Sequence, residues 1–247
     1  MYGTYTGTIS IDSEHFTLNI TKEDQFLRYT RTFSNEKVEK ILPPTGTGEI
    51  FIHPVEPVNL PSHITKFLEI RFEPVILAPT STQEIFLHFP VEFGVFVGKG
   101  KVTENLDIFS FCAPKYSLYG SPGSGVICRW VKSRVFPQFP VADRLKQGVL
   151  HLRMKNMCQS YVEVSRAVFE ADGMRLFFGD FAGMSAEMTV MSSEVAETMF
   201  LDRPPAADMK PAIELFRANF LPGMDLYAAK KLPRVEKNGF LMEWGLV

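Results

Sequence analysis

The thirteen residues "IFLHFPVEFGVFV", 85–97, constrain this chain more than any other stretch. The odd positions are Ile85, Leu87, Phe89, Val91, Phe93, Val95 and Val97, and every one is apolar. The even positions, Phe86, His88, Pro90, Glu92, Gly94 and Phe96, are mixed. Successive side chains of an extended strand point to opposite faces, so a strict two-residue period commits one whole face to a core. A helix would spread the same seven side chains around its circumference.

The period recurs on both sides. "TYTGTISI" and "HFTLNI" alternate about a turn at Asp12-Ser13, and "QFLRYTRTF" sets Phe26, Arg28, Thr30 and Thr32 against Leu27, Tyr29, Arg31 and Phe33. Leu68, Ile70 and Phe72 alternate with Glu69, Arg71 and Glu73. "LDIFSFCAP", "KYSLY", "GVICRWVKSRVF", "VLHLRMKN", "SYVEVSRAVFEA", "MRLFF" and "AGMSAEMTV" read as further strands, and "GFLMEWGLV" as a last one. Aromatic and β-branched residues dominate them, as a half-buried pleated surface prefers. Over 41–64, five prolines (Pro43, Pro44, Pro54, Pro57 and Pro61) withhold ladder donors. They predict an extended crossing segment with one short strand at 49–52, pinned to a core by Ile50, Phe51, Ile52, Val55, Val58 and Leu60.

Helix is expected only late. "SSEVAETMF" has helical composition behind a Ser193 cap. "DMKPAIELFRANF" offers Asp208 as cap, Pro211 in the first turn, and Ile213, Phe216 and Phe220 on one face. Many short strands with helices confined to the end predict a mainly β fold: a β-sandwich, either one large or two packed antiparallel sandwiches, with two short C-terminal helices. A break near position 147 divides an N-terminal β-sandwich domain, 1–146, from a C-terminal β-rich domain, 147–247, that carries both helices.

Composition bounds the partners. A net charge of −2 argues against general nucleic-acid binding, which draws on a basic surface to release counterions. No apolar run reaches the ~20 residues of a membrane-spanning helix, and the N-terminal residues lack the pattern of a signal peptide. The three cysteines, Cys112, Cys128 and Cys158, lie far apart with no paired spacing, so a reducing, cytoplasmic setting is expected.

"KYSLYGSPGSGVICRW", 115–130, is the stretch that most resembles a site. Gly120 and Gly125 have the spacing of a phosphate-binding loop, but Val126 and Ile127 stand where Lys and Ser or Thr belong. Ser121-Pro122-Gly123-Ser124 instead predicts a type II turn, with Gly123 at the position that needs positive φ. Arg129 lies in a strand apolar on both faces, so a carboxylate partner is expected for it; Glu92 and Glu56 have the matching problem. A structural ion pair is the plainer reading of that match. The functional reading is a site for a small anion built from Lys115, Tyr119, Gly123, Arg129, Glu92 and Glu56.

A second candidate is a metal site drawing on His53, His63 and His88, which with Glu92 and Glu56 would make a metal-dependent enzyme. His88 and Glu92 share a strand face about 13 Å apart, too far to chelate one ion unaided. No Gly-x-Ser-x-Gly elbow is present, Cys128 reads as inert core, and no motif identifies a cofactor. A third candidate is a structural subunit of a homo-oligomer. The leading expectation is a binding or interaction module for a small anion or a protein partner.

"HPVEPVNLP", "FPVEFGVFV", "APKYSLYGSPGSGVICRW" and "FLMEWGLV", taken together over most of the chain, resemble an archaeal family described as a domain of unknown function. The resemblance implies an archaeal source and carries no activity or catalytic residue to this chain.

Overall fold

A computed structural model describes residues 1–14, 16–23, 26–33, 36–42, 48–61, 64–99, 102–215, 219–220 and 239–247, with backbone alone at 99, 102, 219 and 220. The first strands are β1 (Gly3–Tyr5), β2 (Ile9–Asp12), β3 (Phe16–Glu23), β4 (Phe26–Phe33) and β5 (Glu36–Leu42). The middle of the chain forms β6 (Glu49–Val55), β7 (Phe67–Leu77), β8 (Thr82–Pro90), β9 (Glu92–Lys99), β10 (Val102–Phe109), β11 (Tyr116–Tyr119) and β12 (Val126–Lys132). Then come β13 (Gln147–Asn156), β14 (Val162–Glu170), β15 (Phe177–Phe178), β16 (Ala182–Val190), β17 (Ala196–Leu201), β18 (Lys210–Pro211), β19 (Asn219–Phe220) and β20 (Phe240–Met242). The chain is mainly β.

Four sheets share the strands. One is the meander β2-β3-β4-β5, and a second runs β1-β6-β9-β10-β19. A third runs β11-β12-β7-β14, and the fourth runs β18-β15-β16-β13-β8, with β17 on β16 and β20 on β17. Most pairs are antiparallel, but β12 with β7, β13 with β16, and β10 with β19 are parallel. The division expected at 146/147 falls where β13 begins, and three sheets are built from both sides of it: β13 pairs with β8, β14 with β7, and β19 with β10. Strand β14 also packs on β17 and β20 of the neighbouring sheet. One large apolar cluster draws buried side chains from all four sheets.

The defining period holds and is then cut. All seven odd-numbered side chains from Ile85 to Val97 are buried. Yet the run is two strands in two sheets, with Val91 between them. The Val91 amide donates to the Lys146 carbonyl (3.2 Å), and its carbonyl accepts from the Ser110 hydroxyl (2.6 Å). With both its polar backbone groups held by loops, Val91 leaves the ladder without breaking the pleat's phase.

Both expected helices are corrected. The segment after Ser193 is the strand β17, antiparallel to β16 and β20. Ser192 accepts from the amides of Glu194 and Val195 and so closes a tight turn, not a helix cap. Ala196 and Thr198 are buried in alternation with more exposed neighbours, so burial overrides helical composition. Around the second, Lys210–Pro211 pairs with β15, while the Ala212 and Ile213 amides donate sideways to the Leu176 carbonyl and to His53. An α-helix would send them back along the chain. The remainder of that expected helix, 216–218, lies outside the described residues.

The meander is tied to its neighbour by a buried polar contact. Tyr29 and Arg31 of β4 both donate to Asp107 of β10, each at 2.6 Å. Arg31 also stands over the Phe109 ring.

Candidate functional site

A cleft of about 740 Å³ opens where β8, β12 and the start of β13 part. Its lining includes five cationic side chains: Lys115, Arg129, Lys132, Arg134 and Lys146. No Asp or Glu is among the described residues that line it. The remaining wall is largely apolar, with Trp130, Phe136, Phe89 and Pro90. A low-dielectric wall carrying one sign of charge focuses potential and draws counter-ions.

Arg129 is the buried member, only 2% exposed. Its strand is central in its sheet, flanked by β11 and β7. One guanidinium nitrogen donates to the Leu60 carbonyl (2.9 Å) and another to the Cys112 carbonyl (3.3 Å). The direct ion pair expected with Glu92 or Glu56 does not form; the guanidinium ends on backbone oxygens instead. Glu92 is fully buried, and its two carboxyl oxygens accept from the amides of Asn59 (3.1 Å) and Leu60 (3.3 Å). Leu60 therefore serves both groups, its N–H to Glu92 and its C=O to Arg129. Burial pushes the Glu92 carboxyl up to about 8, against the pull of Arg129 and the two amides. Burial, the largest effect, thus favours the neutral carboxyl beside Arg129.

The other walls are fixed by backbone contacts. Residues 133–136 run along the free edge of β8: Phe86 and Phe136 exchange both amide hydrogen bonds, and the His88 amide donates to the Ser133 hydroxyl. This positions Arg134 and the Phe136 ring, which lies 4.8 Å from that of His88. The Trp130 amide donates to the Lys115 carbonyl, placing the Lys115 ammonium 6.0 Å from the centre of the Trp130 ring. The Lys146 carbonyl accepts from the Val91 amide and the Cys112 thiol. Burial raises the Cys112 thiol, which keeps it from being a thiolate near neutral pH. Burial lowers His88, leaving a neutral imidazole, while a backbone hydrogen bond with Val141 pulls the other way.

The residues singled out from sequence divide. Lys115 and Arg129 line the cleft. Glu92 and Glu56 do not; Glu92 reaches it only through Leu60. Tyr119 is buried elsewhere, donating to the Gly245 carbonyl and accepting from the Trp244 amide. Gly123 sits on an exposed turn away from the cleft, and the type II geometry expected there is absent: the positive φ lies at Gly120 (107°), packed against the Trp244 ring. Lys132, Arg134 and Lys146 had no sequence signal, since single cations at a strand end or in loops read as solvated surface.

Of the metal candidates, His88 lines the cleft, and His63 lies outside the described residues. His53 is buried against Phe178 and accepts from the Ile213 amide; burial lowers it to about 4. Glu56 is raised to about 7 by burial, with the Glu214 charge adding to the effect. Among the described residues no group of three His, Cys, Asp or Glu side chains converges as a metal ion requires. No described helix is long and apolar enough to cross a membrane.

The chain belongs to the family Protein of unknown function (DUF432), whose model matches residues 1–229. No curated protein and no solved structure matches it.

Proposed function

We propose that the protein is a binding module whose cleft takes a small anionic ligand. The observation that carries this reading is the charge of the cleft: five cations, no carboxylate among the described residues that line it, and a buried guanidinium among them whose partners are neutral carbonyls. Backbone carbonyls satisfy the donors of Arg129 but leave its charge uncompensated, and a bound anion supplies what is missing. The stacking of sheets about one core fits a β-sandwich scaffold holding this cleft rigid. The three free cysteines fit a reducing, cytoplasmic setting.

Calorimetric titration with inorganic pyrophosphate tests the reading. Saturable binding is expected, weakening as salt rises and falling at least ten-fold in Lys132→Glu/Arg134→Glu, whose side chains are exposed and tolerate replacement. Absence of binding at millimolar pyrophosphate, or equal binding by the charge-reversed variant, would refute it.

A further inference from the structure

The cleft holds more than an inorganic anion needs. Its volume of about 740 Å³ is that of a site for an organic molecule. An oxyanion alone would engage the cations and leave the Trp130 and Phe136 surfaces in water. Trp130 is half-buried, and its ring is part of the same wall as the ammonium of Lys115. On β12 the side chains of Trp130 and Lys132 share one face, two residues and so about 6.6 Å apart along the strand. That is close to the separation between a nucleobase and its 5′-phosphates. Arg129 and Val131, from the other face, are also among the residues that line the cleft.

We propose that the ligand is a mononucleotide carrying two or more phosphates, its base stacked on Trp130 and its phosphates held by Lys132 and Arg134. This rests on the anion-site reading above and adds the aromatic half of the ligand. Stacking on an aromatic ring is sequence-tolerant, because every base has a π-face. The Lys115 ammonium stands over one face of the Trp130 ring, so the base takes the opposite face.

The chain has two tryptophans, and Trp244 is remote from the cleft against Tyr119. The variant Trp244→Phe therefore isolates the fluorescence of Trp130. Titrating it with ADP is expected to quench that fluorescence saturably. Pyrophosphate is expected to bind about ten-fold more weakly than ADP and without comparable quenching. Trp130→Leu is expected to weaken ADP about ten-fold while leaving pyrophosphate unchanged. Equal affinity for pyrophosphate and ADP, or ADP binding without quenching, overturns the nucleotide and leaves the anion site standing. Failure of both ligands to bind overturns the anion site itself. If Trp130→Leu does not fold, the quenching measurement on Trp244→Phe still decides the question.

Discussion

Glu92 and Arg129 are joined through one residue without touching: the Leu60 amide donates to the carboxyl, and the Leu60 carbonyl accepts from the guanidinium. The carboxyl fixes the peptide that in turn holds the cation of Arg129. Both groups are buried, and each takes one of its hydrogen bonds from this bridge.

Glu92→Gln tests the protonation state of that carboxyl. Its folded value of about 8 lies above its ordinary 4.5, so between those values the native state holds a proton that the unfolded chain has released. This contribution is fully present below about pH 4.5 and is lost as pH rises towards 8. Glutamine cannot titrate, and Glu56, raised in the same sense, is common to both proteins. The stability difference, wild type minus variant, is therefore expected to shrink from pH 5 to pH 8 in urea unfolding. A difference independent of pH contradicts the assignment.

Arg129→Lys keeps the charge but loses the fork. One ammonium cannot serve the Leu60 and Cys112 carbonyls as the two guanidinium nitrogens do. A loss of about 2 kcal/mol is expected in chemical unfolding. A variant as stable as the wild type would show that the bridge contributes nothing.

Gly148 lies opposite Phe89 in the β8–β13 ladder, and a Cβ there would stand 2.2 Å from the Phe89 ring. Phe89 is buried and has little room to move. Gly148→Ala is expected to cost about 1–3 kcal/mol and to disturb the cleft wall. Thermal unfolding with pyrophosphate titration on the same sample reads both effects.

Asp107→Asn removes the anion that Tyr29 and Arg31 share, leaving a guanidinium only 3% exposed. Its other carboxylate contact, Glu36 at 3.5 Å, is largely exposed and compensates poorly. A loss of about 3 kcal/mol is expected, seen as a lower melting temperature. Because Asp107 is not among the residues that line the cleft, pyrophosphate affinity at low temperature is expected to be unchanged.

The strands were legible because a two-residue period leaves a direct trace in the side chains, as at 85–97. The cut at Val91 was not legible: the pleat keeps its phase across it, and only contacts from Ser110 and Lys146 reveal that two sheets are involved. The late helices were misread because Glu, Ala and Met have helical propensity, whereas β17 is decided by the strands on either side of it. Arg129 was conspicuous as a charge in an apolar run, and its burial follows from that. Its partners were not legible, since main-chain carbonyls carry no sequence signal. The rest of the cleft comes from segments near 88, 113, 132 and 146, brought together only by the fold.

The most direct test of the anion site is a crystal soaked with tungstate, a tetrahedral oxyanion located by its anomalous scattering. The expected result is a peak inside the cleft, within hydrogen-bonding reach of Arg129 or of Lys132 and Arg134. An empty cleft in an accessible crystal, with tungstate bound only elsewhere, would contradict it.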